Sequence, residues 1–233
     1  MLIGLISDVH GNLPALQVVL KELKQQKVDR TICLGDTVGY GPFPNECVEL
    51  VRKNCAIVLK GNHDSGLVGE TPLDDFNQHG LTAILWSQKV VTPENAAFLR
   101  GLPLTTVEYD ITVAHASPLD PSSWRYILTM PAAEENFSAF ATRLCFIGHT
   151  HVPVIIGEDA SINKFSKGNR FIINVGSVGQ PRDGNPDAAF GVYDTDNESY
   201  VLARAPYDIK KTAEAIRSIG LPDFLAKRLF QGI

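Results

Sequence analysis

Cysteine is scarce in this 233-residue chain: Cys33, Cys47, Cys55 and Cys145 are the only four, and no two form a CxxC pair. That excludes a thiolate zinc site and a dense disulfide scaffold, and it fits reduced thiols in the cytosol. Long apolar runs are lacking too. Asp8 interrupts the opening stretch before it reaches the length of a signal-peptide core or a membrane span. A cytoplasmic protein with no membrane partner is therefore expected. There is no basic excess either, since 21 Lys and Arg face 26 Asp and Glu for a net charge of −5. Long nucleic acid is a disfavoured partner and nuclease activity a disfavoured function. A phosphorylated substrate would need local positive charge, which in an acidic chain a metal ion can supply. No repeat, low-complexity tract or linker-like stretch divides the sequence, which predicts one domain over residues 1–233. The oligomeric state is not set, and a homo-oligomer stays open.

What is present is a series of short runs rich in β-branched residues, at 2–7, 31–34, 56–59, 111–114, 144–147 and 171–175. These read as strands, mostly buried on both faces. Leu13, Leu16, Val19, Leu20 and Leu23 recur at helical spacing, and residues 44–53 predict a second helix with Pro44 in its first turn. The opening thus alternates strand and helix, as βαβ units do. Residues 76–100 predict helix, restarted at Thr92-Pro93 by a cap and a first-turn proline. Residues 118–131 read as a loop, with a helix beyond Pro131. Residues 190–193 and 200–204 flank an acidic turn as a hairpin, and amphipathic pieces at 209–219 and 222–230 close the chain. The fold class is α/β, in first approximation a parallel sheet.

The informative feature is where the polar residues fall. Five of these strands end in metal-capable side chains: Asp8 and His10, then Asp36, then Asn62, His63 and Asp64, then His115, then His149 and His151. Five of the six histidines lie at these ends, and only His79 lies elsewhere. Singly, each cluster has a bland explanation: Asp8 or Asn12 as a helix cap, Gly35-Asp36 as a turn, His115 as a satisfied core histidine. Together they predict convergence at one edge of the sheet, where α/β folds place their sites. Oxygen and imidazole donors without thiolate suit Mn, Fe, Zn or Ni. Seven candidate ligands exceed the needs of one tetrahedral ion and point to two divalent ions sharing a carboxylate, the arrangement used for displacement at phosphorus.

The blocks DxH, GD, GNH followed by Asp, a lone His and GHxH occur here in the order that resembles the calcineurin-like metallophosphoesterases, nearest their small bacterial and archaeal phosphodiesterases. Asn174-Val175-Gly176-Ser177 is similar to a further segment of that family, with Val175 where proline is common. The resemblance implies a β-sandwich of two mixed sheets flanked by α-helices, which refines the parallel-sheet reading. It also implies a first metal on Asp8, His10 and His151, a second on Asn62, His115 and His149, and Asp36 between them. A metal-bridging hydroxide would attack phosphorus, with His63 as general acid and Asp64 orienting or charging its imidazole. Expected substrates are small phosphoesters or nucleotides, diesters first. Phosphomonoesters, phosphoproteins and dinucleoside polyphosphates stay open, as does a non-catalytic metal-binding scaffold. Asn62 would also approach the substrate. Arg182 would grip a substrate oxygen or second phosphate, or else form a surface salt bridge with Asp183. Tyr40 and Phe43 are expected to pack their loop, Trp124 and Tyr126 to belong to a lid, and Asn174 and Ser177 to approach the substrate.

Overall fold

Alternation along the central strands sorts their side chains into two cores. In the first sheet Ile3 and Leu5 face one way and Ile6 the other, and in the second Leu144 and Phe146 oppose Cys145 and Ile147. The computed structural model of the chain describes residues 1–162 and 164–233. Its first sheet joins β1 (Leu2–Ile6), β2 (Arg30–Cys33), β3 (Ile57–Val58), β9 (Ala188–Asp194) and β10 (Ser199–Ala205), in the order β10-β9-β1-β2-β3. The second joins β4 (Thr105–Glu108), β5 (Ile111–Ala114), β6 (Leu144–Ile147), β7 (Val154–Gly157) and β8 (Phe171–Asn174), in the order β4-β5-β6-β8-β7.

Each sheet is parallel at its centre and antiparallel at an edge. β1 runs parallel to β2, with Ile3 opposite Arg30, and antiparallel to β9, with Leu2 opposite Asp194. β6 runs parallel to both β5 and β8, while β4 and β7 add antiparallel edges. The two mixed sheets that the family resemblance implied are present, in place of the single parallel sheet read from periodicity alone. Strands β4 and β7 had not been expected; both are edge strands, exposed on one side and without the continuous apolar run of the central ones.

Between the sheets lies a core of Ile3, Leu5, Ile32, Leu34, Val113, Leu144, Phe146, Phe171 and Ile173, all buried. Fully burying each such side chain stabilises the fold by about 1.5–3 kcal/mol before conformational entropy is charged. Helices α1 (Leu13–Gln25) and α2 (Pro44–Asn54) cover the outer face of the first sheet through Leu16, Val19, Leu23, Cys47 and Val51. Helix α6 (Met130–Phe137) covers the second sheet with Ala133 and Phe137. The layers therefore run helix, sheet, sheet, helix.

Helix α3 (Asn62–Leu67) begins at the GNH block, and the expected break at Thr92 separates α4 (Gln78–Val90) from α5 (Pro93–Arg100). The closing pieces form α7 (Ile209–Ser218) and α8 (Asp223–Leu229), which pack beneath Tyr40. Asn12 caps α1 through the Ala15 N–H and also accepts a hydrogen bond from the Thr212 hydroxyl at 2.9 Å, tying α7 to the start of the chain. No helix among the described residues is long and apolar enough to cross a membrane.

Candidate metal centre

The carboxyl ends of β1, β2 and β3 on one sheet, and of β5, β6 and β8 on the other, meet at one rim, so the site lies between two sheets rather than at the edge of one. Tight turns carry the chain away from these ends. Asp8, His10, Asp36, Tyr40, His149 and His151 all have φ between +49° and +65°. Asp and His tolerate this region better than most non-glycine residues, yet a cluster of such strained turns marks a functional site. Gly148 allows two loops to meet there: a Cβ on it would lie 1.9 Å from Ser7 Oγ and 2.5 Å from Asp8 Oδ2.

Four histidines are aimed by backbone carbonyls. His10 Nδ1 bonds to the Val38 carbonyl at 3.0 Å, His115 Nδ1 to Leu34 at 3.0 Å and His151 Nδ1 to Gln180 at 2.6 Å, and in each the Nε2 lone pair points inward. His149 is reversed, its Nε2 bonding the Trp124 carbonyl at 2.9 Å, which leaves Nδ1 for the site. A carbonyl partner of this kind fixes the tautomer and raises the basicity of a metal-binding imidazole. None of these carbonyls was legible in the sequence, because a carbonyl leaves no residue-type signature.

The inward-facing donors crowd together. His10 Nε2 and His151 Nε2 are 3.0 Å apart, and Asp8 Oδ1 lies 3.3 Å from the latter. Asp36 Oδ2 lies 3.4 Å from His115 Nε2 and 3.6 Å from His10 Nε2. Asp8 Oδ1, His115 Nε2 and Asn62 Oδ1 are buried with no hydrogen-bond partner among the described residues. Buried acceptors left unsatisfied are costly, and oxygens and lone pairs facing one another without intervening hydrogens are what a cation satisfies. Asp8, His10 and His151 form one such group, Asp36, His115 and His149 another, and His10, Asp36 and His63 a third that overlaps both.

Electrostatics follow from burial and from Asp36. Burial pushes His10 and His151 well below the usual histidine range, His149 down to about 3 and His63 to about 4. Burial opposes charge on His115 as well, but neighbouring Asp36 outweighs it and lifts this imidazole to about 9. For Asp36 burial is again outweighed, by His115 and His63, which hold the carboxyl well below the usual range. Asp8 rises to about 6, chiefly from burial.

His63 and Asp64 part company. The His63 ring packs against Tyr40 and Phe76 at centroid distances of 4.5 and 5.0 Å, and its Nδ1 is sealed at Gly39, leaving Nε2 toward the cleft. Asp64 was expected to orient or charge this imidazole. Instead its Oδ1 accepts the Val38 N–H at 3.1 Å and its Oδ2 the Gly61 N–H at 3.0 Å, so it ties together the loops after β2 and β3. No hydrogen bond joins it to the His63 ring, whose Nδ1 has no partner among the described residues.

Gly39 has a φ of +91°, and a Cβ there would stand 2.3 Å from His63 Nδ1. Gly39→Ala should therefore displace the imidazole and lower turnover on diesters with basic leaving groups by roughly 10-fold or more while the metals stay bound. Unchanged kcat alongside normal metal content would refute that dependence.

Arg182 lines the same cleft of about 60 Å³ as Asp36, Asn62, His63, His149 and His151. Its guanidinium bonds Gln180 Oε1 at 2.9 Å and lies 5.7 Å from the Tyr40 ring centre. The salt bridge to Asp183 does not form, because Asp183 pairs with Arg204. Asn174 and Ser177 brace the ligand loops rather than approach the cleft: Asn174 donates to the Gly148 carbonyl and Ser177 Oγ to the Asp8 carbonyl. Val175 donates its N–H to the Ile147 carbonyl at 3.0 Å, a bond that proline could not make. Phe43 packs beside the α1–α2 core, and His79 stacks on Phe224 away from the cleft. Phe76, which carried no signal in the sequence, joins Trp124 and Tyr126 beside the centre.

Comparison with known proteins agrees with this architecture. A metallophosphoesterase from Sphaerobacter thermophilus superposes with a TM-score of 0.90 at 41% identity, covering 100% of this chain and 99% of that one. A protein of uncharacterised function from Methanocaldococcus jannaschii is 40% identical over 99% of this chain and 98% of its own length. The phosphodiesterase YfcE of Escherichia coli is 27% identical over 82% of this chain and 85% of its own. Residues 1–198 match the calcineurin-like phosphoesterase superfamily domain, and the chain belongs to that superfamily of phosphoric ester hydrolases.

Proposed function

We propose that the chain is a phosphodiesterase acting on small phosphoesters or nucleotides with two divalent ions, drawn from Mn, Fe, Zn or Ni. Asp8, His10 and His151 would hold one ion, Asn62, His115 and His149 the other, and Asp36 would serve both. The observation that carries this reading is the convergence of buried electron-pair donors: Asp8 Oδ1, Asn62 Oδ1 and His115 Nε2 have no hydrogen-bond partner among the described residues, and His10 Nε2 and His151 Nε2 face each other at 3.0 Å with both Nδ1 atoms already spent on backbone carbonyls. Bound there, divalent ions supply Lewis acidity toward phosphoryl oxygens and lower the pKa of water so that it attacks at neutral pH.

This chain's own residues do the rest. Arg182, with no carboxylate partner among the described residues, is free to grip a phosphoryl oxygen with two N–H groups. Asn62 stands where it can serve ion and substrate alike. His63 Nε2 would deliver a proton to the ester oxygen as its bond to phosphorus breaks and water's oxygen takes that place. Asp64 acts as a positioning residue through the loops that it joins. The free thiols agree with a cytosolic setting.

Hydrolysis of bis(p-nitrophenyl) phosphate and of p-nitrophenyl phosphate with added Mn²⁺ tests this reading. The diester should be the better substrate, and Mn²⁺ at 100 times its Kd should stabilise the fold by about 2.7 kcal/mol per occupied site in thermal unfolding. Preference for the monoester would turn the assignment to a phosphatase. Metal-induced stabilisation without any turnover would turn it to a binding scaffold.

A further inference from the structure

The metal-facing cleft adjoins a second one of about 200 Å³, walled by Phe76, Trp124 and Tyr126, with Asn62, Asp75, Phe76, Tyr126 and His149 common to both. We infer that this second cleft seats an uncharged nucleoside as the leaving half of the substrate, so that the preferred diesters are those between nucleotides. The inference rests on the phosphodiesterase reading above.

Three aromatic rings stand beside the reactive centre without being spent on a core. Tyr126 lies nearly parallel to the His149 ring, at 4.1 Å and 20°, and remains 51% exposed. Trp124 is held at both of its polar ends: its indole N–H donates to Thr71 Oγ1 at 3.0 Å, and its carbonyl accepts from His149. Thr71 is in turn held by Ser65 at 2.8 Å. The indole is thus fixed in place as a wall. Rigid aromatic faces beside a phosphoryl site suit a nucleobase, whose π-face stacks whatever its identity.

Charge sets the direction in which a substrate lies. Arg182 borders only the first cleft, whereas the Asp75 carboxylate borders both and has no ion-pair partner among the described residues. An anionic arm is therefore drawn toward Arg182 and repelled from the aromatic cleft. A neutral nucleoside fits there, with its sugar hydroxyls or ring amines donating to Asp75. Phe76 touches His63 edge-on at 5.0 Å, so the ester oxygen of a group seated in the aromatic cleft would lie beside the residue proposed to protonate it.

Two measurements on the metal-loaded protein test the inference. The first is the ratio of kcat/KM for a dinucleoside monophosphate to that for glycerophosphoethanolamine. It should exceed roughly 10 and fall by about 10-fold or more in Phe76→Ala and in Tyr126→Ala, mainly through KM, while Tyr126→Phe keeps it. The second is fluorescence of Trp124 in a Trp86→Phe background, which adenosine should quench at millimolar concentration or below. A ratio near one in the wild type, or a ratio untouched by both alanine variants, overturns the inference while leaving the phosphodiesterase reading intact. If neither diester is hydrolysed, that reading fails instead, and absence of quenching then rejects the nucleoside cleft as well.

Discussion

An Asp36→Asn variant is expected to lose metal and turnover together, with kcat/KM down on the order of 10³-fold or more. The carboxylate is buried, and its two oxygens do different work. Oδ1 accepts the backbone N–H of His63 at 2.8 Å, while Oδ2 faces His115 Nε2 and His10 Nε2 at 3.4 and 3.6 Å. Asparagine can keep the first bond only by placing its amide oxygen there. Its NH₂ group then turns toward the imidazoles, a donor where a cation needs an acceptor. Losses from changing outer hydrogen-bond partners of metal ligands run to about 10–100-fold, so a larger loss separates a shared ligand from a supporting one. Without metal the fold should be somewhat less stable than the wild type, since Asp36 and a charged His115 support each other there and removing one partner of a buried pair is destabilising. Elemental analysis, Tm with and without Mn²⁺ and kcat/KM together decide the matter. The wild-type Tm should rise when Mn²⁺ is added, whereas that of the variant should gain nothing. Two ions still bound, with ordinary turnover, would sink the assignment of Asp36 as the shared ligand.

The legible part of this protein was the part written in residue types. Apolar runs located the central strands, because a strand covered on both faces has nowhere to put a polar side chain. The seven proposed ligands stood out because Asp, Asn and His ended those runs, and the structure gathers all of them at one rim. Edge strands β4 and β7 escaped notice because exposed edges carry mixed sequences. The division of the strands between two sheets came from the family resemblance and not from periodicity, because a strand facing a second sheet is as apolar as one facing a helix. Least legible was the role of Asp64. Its neighbour His63 suggested a pair, but the first turn of α3 sends the two side chains apart, one into the cleft and one back to the N–H groups of Val38 and Gly61. The left-handed turns put Asp8, His10, Asp36, His149 and His151 themselves at positive φ, and the neighbouring Gly11, Gly35 and Gly148 mark a turn without showing which residue bends.

That separation of His63 from Asp64 shapes the second large effect. In His63→Ala both ions should remain, because the residue holds Asp36 through its backbone N–H, which alanine keeps. What is lost is the imidazole, with Nε2 toward the cleft and the ring steadied by Tyr40 and Phe76. A poor leaving group departs as an alkoxide unless a proton reaches it as the bond to phosphorus breaks, so diesters with alkyl or nucleoside leaving groups should slow by roughly 10²–10⁴-fold. A nitrophenolate leaves as a stable anion, and its ester should lose far less. The measurement is a plot of log kcat/KM against leaving-group pKa for wild type and variant, which should be steeper in the variant and meet the wild-type line at the acidic end. Parallel lines would mean that the ring holds the substrate without donating a proton, and a drop in metal content would mean that it belongs to the ligand set. Asp64→Asn gives the contrasting case: one of its two backbone bonds must fail, at a cost of about 1–3 kcal/mol in stability, while the leaving-group slope stays that of the wild type. A proton donor and a loop anchor adjacent in sequence are thus distinguished by which of the two changes the slope.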